Sequence, residues 1–493
     1  MTSGATNAVP DNRRWFALVV LCIGMLMIVL DVTVVNVALP SIQEDLGFSQ
    51  SSLAWVVNAY LISFGGLLLL AGRLGDLVGR RRVFMIGLTI FTVASLVCGL
   101  AQSQGVLIAA RFTQGVGGAM TSAVILGMIV TMFPEPREQA KAIGIYGFVA
   151  SAGGSIGLLA GGVLTEGINW HWIFFINLPI AVGTALLAAR LIGADRGIGI
   201  GRGADVLGAL LVTSSLMLGT YTIVKISEYG LGSLHTLGLG AVSLALLGAF
   251  IGRQARAENP LMPLRLFRAR NVSGANLVQV FVVAGMFGMF FLGTLYLQRV
   301  LGYDPLEIGF AFLPATVVMG IFSAGLSARL TQRFGARTTL IPALGFLLAA
   351  LGLFARVPVD GAYAADVLAP MLLLGVGAGL AFPSLMILAM SGASPEDAGL
   401  ASGLVNTTAQ VGGALGLAVL ATLASSRTDD LLASGDSVRE ALTGGYRLSL
   451  IVGAVLVAIG IAVAVAVLRQ EKQPSMAHAG RELESAEPCA EAA

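Results

Sequence analysis

The feature that most constrains this chain is a succession of long apolar runs broken at short intervals by small charged clusters. Runs at about 15–38, 51–71, 83–101, 105–131, 141–163, 171–189, 205–224, 235–252, 272–296, 306–327, 338–355, 364–390, 399–424 and 446–468 are each about the length a helix needs to cross a lipid core. Hydrocarbon offers the backbone no partners, so such segments are read as helices that bond internally. The composition agrees. Of 493 residues 56% are hydrophobic and 11% charged, against about a quarter charged in soluble domains. The reading is an all-α polytopic membrane protein with fourteen transmembrane helices. The first run, from Trp15, is too long for a cleavable leader and is taken as the first span.

Several function classes fall away. A net charge of +2 gives no reason to expect a nucleic-acid partner. None of the three lysines, Lys141, Lys225 and Lys472, follows a glycine, so no Gly-Lys-Ser/Thr loop exists to cradle phosphates and ATP is not the expected driver. There is no His-Glu-x-x-His motif, and His171, His235 and His478 give no metal candidate. Cys22, Cys98 and Cys489 cannot form a disulfide framework. No enzymatic constellation is visible.

Loop charges give an orientation. With the amino terminus inside, 22 of the 29 Lys and Arg residues fall in tails and loops on that side, 6 on the other, and Arg111 within a span. The positive-inside rule then predicts a multi-pass protein of the cytoplasmic membrane with both termini cytoplasmic. Trp15, Trp55, Trp170 and Trp172 lie near span ends and are expected to anchor in the lipid interface. The polar, acidic end of the chain, 471–493, is expected to be a disordered cytoplasmic tail.

The chain also repeats itself. Gly72 to Arg81 aligns with Ala328 to Arg337, pairing Arg73 with Arg329, Gly79 with Gly335 and Arg81 with Arg337, while Asp76 meets Gln332. Gly115-Val116-Gly117 matches Gly375-Val376-Gly377, and Gly153-Gly154 with Gly157 matches Gly412-Gly413 with Gly416. Three matches in one order at nearly one offset divide the chain. A tail, 1–14, precedes a six-helix bundle, 15–190; a linker with two inserted spans, 191–260, leads to a second six-helix bundle, 261–470. Two parallel repeats rocking about a mid-membrane site are the architecture of a secondary transporter.

Ionisable residues inside spans are costly and usually face a cavity or a partner. Asp31 and Arg111 are the two deep ones, at similar depth. They form either a proton-coupling pair or a buried structural pair. In the fifth span Gly144, Gly153, Gly157, Gly161 and Gly162 leave one face bare, for close packing or as a pivot. The turn with Gly72, Asp76, Gly79, Arg80 and Arg81 carries basic residues that topology explains and an acid that it does not. Asp76 is a candidate latch, bonded to an arginine and to the exposed amides of a neighbouring helix amino terminus. Asn36, Asn58, Asn276, Gln279, Asn406 and Gln410 are either cavity-lining residues or interhelical hydrogen-bonding ones.

These residues resemble the major facilitator superfamily, and within it the 14-span drug:proton antiporters. Leu30 to Pro40 is similar to the family's span-1 signature, Gly72 to Arg82 to its span 2–3 loop, and Arg111-x-x-Gln114-Gly115-x-Gly117 to its span-4 signature. Trp170 to Pro179, and Tyr296-Leu297-Gln298 with Gly309 and Pro314, are similar to patterns of the 14-span group. The resemblance implies a multidrug or antibiotic exporter with the major facilitator fold. It gives Asp31 and Arg111 proton-coupling roles, Asp76 and Arg80 the latch, and the span-5 glycines a link to antiport. One departure stands out: Gly157-Leu158 replaces the family's Gly-Pro. The expected function is proton-coupled export of small lipophilic compounds, cationic or neutral, by a monomer in the lipid bilayer. The proton is the coupling ion and no other cofactor is expected. Export of an endogenous lipid, siderophore or secondary metabolite is the same-class alternative, and a non-transporting membrane sensor or scaffold the other.

Overall fold

The computed structural model describes residues 11–193, 195, 197, 205–230, 232–258, 260–261, 264–391 and 398–469; the expected disordered tail lies outside these. Its α-helices are α1 (Asp11–Leu46), α2 (Gln50–Val78), α3 (Arg80–Gly99), α4 (Gln104–Met132), α5 (Pro136–Gly167), α6 (Trp172–Phe175), α7 (Asn177–Leu191), α8 (Val206–Tyr229), α9 (Leu234–Gln254), α10 (Arg270–Arg299), α11 (Pro305–Ile321), α12 (Ser327–Phe334), α13 (Ala336–Phe354), α14 (Leu368–Met390), α15 (Ala398–Ala433) and α16 (Val438–Val467). A π-turn, Phe322–Leu326, carries α11 into α12. No strand occurs among the described residues.

Twelve helices among the described residues are long and apolar enough to cross a membrane. The runs at 141–163 and 306–327 fall on α5, of 32 residues, and α11, of 17. Helix starts follow local chemistry. Ser49, Ser103 and Ser233 accept from the amides of Ser52, Val106 and Thr236, and Asp304 with Glu307 and Ser437 with Glu440 close reciprocal capping boxes. α1 continues through Pro40 to Leu46, beyond the expected end at 38. It runs unbroken past Asp31.

The first group of helices packs around α1, which touches α4, α5 and α7; in the second, α10 packs on α15 and α16. Along the seam α2 lies on α15 and α5 on α11. α8 touches both α2 and α15 and pairs with α9. That pair is fastened by reciprocal bonds, Ser215 Oγ to Ser243 O at 2.8 Å and Ser243 Oγ to Ser215 O at 2.9 Å. At its end Asp205 accepts from Arg253 Nε and from Gln254 Nε2.

The sequence repeat is a repeat of contacts. Gly79 and Gly335 both join two helices at positive φ, +109° and +87°, a region only glycine enters without strain. Arg81 Nη2 then donates to Ala189 O on α7, and Arg337 Nη2 to Val465 O on α16. A Cβ on Gly117 would stand 2.5 Å from the Phe91 nitrogen of α3, and one on Gly377 would stand 2.9 Å from Ala343 O and Leu347 N of α13. One on Gly153 would meet Val29 of α1, and one on Gly412 would meet Val280 of α10.

Gly117→Ala and Gly377→Ala are each expected to destabilise the solubilised protein by about 1–3 kcal/mol, because backbone blocks the new methyl group. Gly183→Ala, with nothing within 4 Å of the added carbon, should be neutral or stabilise by roughly 0.5–1 kcal/mol. Thermal melts separate the two classes, and equal shifts in all three would deny the close-contact role.

Candidate functional site

Five helices converge on Asp31. Helical spacing sets each partner on one face: Val56 and Tyr60 of α2, Ser95 and Cys98 of α3, Arg111 and Gln114 of α4. Asn177, the first residue of α7, completes the ring. Arg111 Nη1 donates to Asp31 Oδ2 at 2.5 Å. Gln114 Nε2 and Asn177 Nδ2 donate to Oδ1 at 2.6 Å and 3.0 Å. Arg111 also donates from Nε to Val56 O at 2.9 Å and from Nη1 to Gln114 Oε1 at 2.7 Å. Gln114 in turn donates to Ser95 Oγ at 2.8 Å and accepts from the Cys98 thiol. The guanidinium lies 4.5 Å from the Tyr60 ring centroid, an added cation–π contact.

Asp31 and Arg111 are each 1% exposed. Taking two ions out of water costs several kcal/mol apiece, recovered only where further hydrogen bonds saturate both. That saturation is present for the carboxylate, which holds three donors. No cationic substrate could reach it in this state, because both oxygens are occupied and enclosed. What the carboxylate can exchange is a proton.

Among the described residues the second group of helices has no counterpart. Two residues beyond the equivalent Val29 and Val280 stand Asp31 and Val282, and four before Gly115 and Gly375 stand Arg111 and Met371. Val282 and Met371 are buried and apolar. The charged network is therefore confined to one repeat.

The α2–α3 turn departs from expectation. Asp76 Oδ1 accepts from Arg80 Nε at 3.3 Å and Nη2 at 3.1 Å, so the arginine bond is present. Arg80 Nη1 continues to Gly127 O and Thr131 Oγ1 on α4. The exposed amides, however, take a different acid. Arg80 N and Arg81 N, the first two of α3, donate to Asp195 Oδ2 at 2.6 Å and Oδ1 at 3.1 Å. Gly197, two residues on, rests on the Leu77 carbonyl, which a Cβ there would meet at 2.2 Å. The acid on the α3 amino terminus therefore comes from the segment that follows α7, and not from Asp76 at the end of α2.

Among the fifth-span glycines, Gly153, Gly157 and Gly161 face α1, meeting Leu26 and Val29, Leu30 and Thr33, and Val34. Gly162 faces Pro305 and Leu306 of α11, and Gly309 faces Leu158 O in return. These two therefore lie on the seam, while Gly144 lies within α5. The six polar candidates do not share one site. Asn36 donates to Val32 O on its own helix at 3.1 Å, and Asn406 is exposed. Asn276 bonds Val272 O and Thr408 Oγ1, an interhelical bond. Asn58 is fully enclosed with both amide atoms unpaired; Gln279 and Gln410 each bury an unpaired carbonyl oxygen. Gln410 packs on Gly65 across the seam. At the face opposite the α2–α3 turn, a cavity of about 450 Å³ is lined by Gln43, Glu44, Gly47 and Phe48 from one group and Gln298 and Arg299 from the other.

Three residues of these sites carry roles that the sequence reading did not assign. Gln114 follows Arg111 by one helical turn, a spacing that could have flagged it. Asn177 is a polar residue at the head of an apolar run. Asp195 has no local signal, its partners lying 115 and 114 positions away. Asp195→Ala is expected to cost about 1 kcal/mol of stability through the lost cap. Asp76→Asn should cost less, since that pair is more than a third exposed on the acid side and such pairs contribute about 0–1 kcal/mol. Denaturation midpoints of the two variants test the order, and a larger loss for Asp76→Asn would reverse the assignment.

Comparison with known proteins gives the family. The Major Facilitator Superfamily model matches residues 21–417. The chain is 40% identical over 465 residues to a puromycin resistance protein of Streptomyces alboniger, covering 93% of this chain and 91% of that one. It is 41% identical over 416 residues to a cephamycin export protein of Amycolatopsis lactamdurans, covering 84% and 85%. In structure it is similar to a bacterial homologue of the human lysosomal transporter Spinster in an inward-facing, unoccupied conformation, with TM-score 0.66, 18% identity, and coverage of 95% of this chain and 100% of that one. The chain belongs to the major facilitator superfamily, and is a multi-span membrane transporter rather than an enzyme.

Proposed function

We propose that this transporter exports small lipophilic compounds, antibiotics among them, in exchange for protons by alternating access. The observation that carries the coupling is the enclosed Asp31–Arg111–Gln114–Asn177 network, present in one repeat and absent from the other. A buried carboxylate next to one guanidinium is a group whose charge state changes the local balance by a full unit. With the proton off, Asp31 and Arg111 neutralise each other. With it on, Arg111 is left as an unpaired buried cation held by Val56 O and Gln114 Oε1, a state that favours rearrangement of the helices around it.

The substrate reading rests on kinship with proteins of puromycin resistance and cephamycin export. Because Asp31 is sealed, the substrate acts at a distance from it, through the state of the bundle, so a neutral molecule can be coupled as well as a cation. The relation to a cephamycin exporter also favours a second reading, export of a secondary metabolite that the cell itself makes. The proposed topology has fourteen spans, with α5 as the fifth and α11 through α12 as the tenth, and both termini cytoplasmic, placing the α2–α3 turn on the inner side and the 450 Å³ cavity on the outer.

Asp31→Asn is expected to abolish proton-driven uptake of puromycin into inverted membrane vesicles while leaving the protein folded in the membrane. Retained uptake driven by an imposed pH gradient would overturn the coupling assignment. A panel containing puromycin and a cephamycin, assayed by substrate-dependent proton release from reconstituted vesicles, tests the substrate class.

A further inference from the structure

Asp31 Oδ1 accepts two N–H groups, and the two are not held alike. The Gln114 amide has four partners: besides Asp31 it meets Arg111 Nη1, Ser95 Oγ and the Cys98 thiol. The Asn177 side chain is 0% exposed, its Oδ1 is buried without a partner, and the one hydrogen bond it makes is Nδ2 to Asp31 Oδ1 at 3.0 Å. Leaving a buried carbonyl oxygen unsatisfied costs on the order of 1–3 kcal/mol. Apolar packing would serve α7 better at that place, so the amide is there for the one bond it makes.

We infer that Asn177 is a positioning residue through which the proton on Asp31 controls the seating of α7. The inference rests on the proposed proton coupling at Asp31. When a proton from the aqueous side binds Oδ1, that oxygen becomes a hydroxyl with its own hydrogen and cannot keep both N–H donors. Gln114 is retained by its three other partners. Asn177 is the donor that leaves, and the amino-terminal end of α7 is released from α1.

The release has a path to the far side of the protein. α7 is a helix of 15 residues, about 1.5 Å of length for each, and its other end carries the α2–α3 turn. Arg81 Nη2 bonds Ala189 O at 2.6 Å, Arg13 Nη2 bonds Arg190 O at 2.7 Å, and Asp195 caps α3 just beyond. A shift of α7 at Asn177 is therefore passed to the turn through the helix backbone and the bonds of Arg81 and Arg13 to its last turn.

The charged and titratable groups that face Asp31 are few. α2 presents Tyr60, α3 presents Cys98 and α4 presents Arg111. α5 faces α1 with glycines beside Asp31, and brings Tyr146 to Met25 and Glu138 to Arg14 near the start of α1. Ahead of α6, His171 meets Asp45 near the end of α1. Among the described residues α7, α10 and α11 bring no charged group into contact with Asp31.

The test is hydrogen–deuterium exchange of α7 in lipid nanodiscs across a pH series, corrected for the intrinsic pH dependence of exchange. In the natural protein, protection of the first turn of α7 should fall as pH is lowered. Asn177→Leu should give low protection at every pH, and Asn177→Thr, too short to span the bond, should do the same if the leucine variant fails to fold. Protection that still follows pH as in the natural protein in either variant overturns the role of Asn177. Asp31→Asn separates the two layers: a pH response surviving in that variant overturns the coupling at Asp31 itself, whereas its loss there with survival in Asn177→Leu overturns only the link to α7.

Discussion

A carboxylate in the interior of a membrane protein is tolerable only when its neighbours supply what water would. Asp31 imposes that condition on five helices at once, and their arrangement can be read as the solution. One cation and two amides reach its two oxygens, a backbone carbonyl orients the cation, and an aromatic ring covers it. Each donor comes from a different turn of helix, so the network fixes the rotation of α1, α4 and α7 about their own axes as well as their spacing. Glycines at the α1–α5 contact let a fifth-span helix approach on the side where no donor is needed.

Around this centre the molecule is built twice, but loaded once. Equivalent glycines make equivalent contacts in both repeats, and Arg81 and Arg337 bond the last long helix of their own repeat. Where the first repeat has Asp31 and Arg111, the second has Val282 and Met371. At the equivalent places the second repeat buries only apolar side chains.

The fold was legible in the sequence because bilayer physics leaves few alternatives for long apolar runs, and because glycine spacing survives duplication. Asp31 and Arg111 were legible for the same reason: ionisable residues stand out against apolar helix. What could not be read was pairing over distance. Asp195 gives no periodic signal, and its acceptance of the α3 amides follows from how α7 ends beside Gly79, a tertiary fact. Asn58 and Asn406 look alike in sequence, yet one is enclosed and the other exposed, since helix rotation decides which face is covered. Leu158 stands where the family pattern has proline, and its carbonyl meets Gly309 of α11.

The inserted pair has a geometric effect on how a lipophilic molecule meets the protein. α8 lies on both α2 and α15, with Gly66 packed closely on Thr213 and a longer bond from Thr422 Oγ1 to Ile223 O at 3.4 Å. α9 stands outside it with Leu234, Leu237 and Leu244 exposed. The pair therefore covers one flank of the seam between α2 and α15. The other flank is closed by α5 against α11, where Gly162 and Gly309 bring the two backbones together without side chains between them.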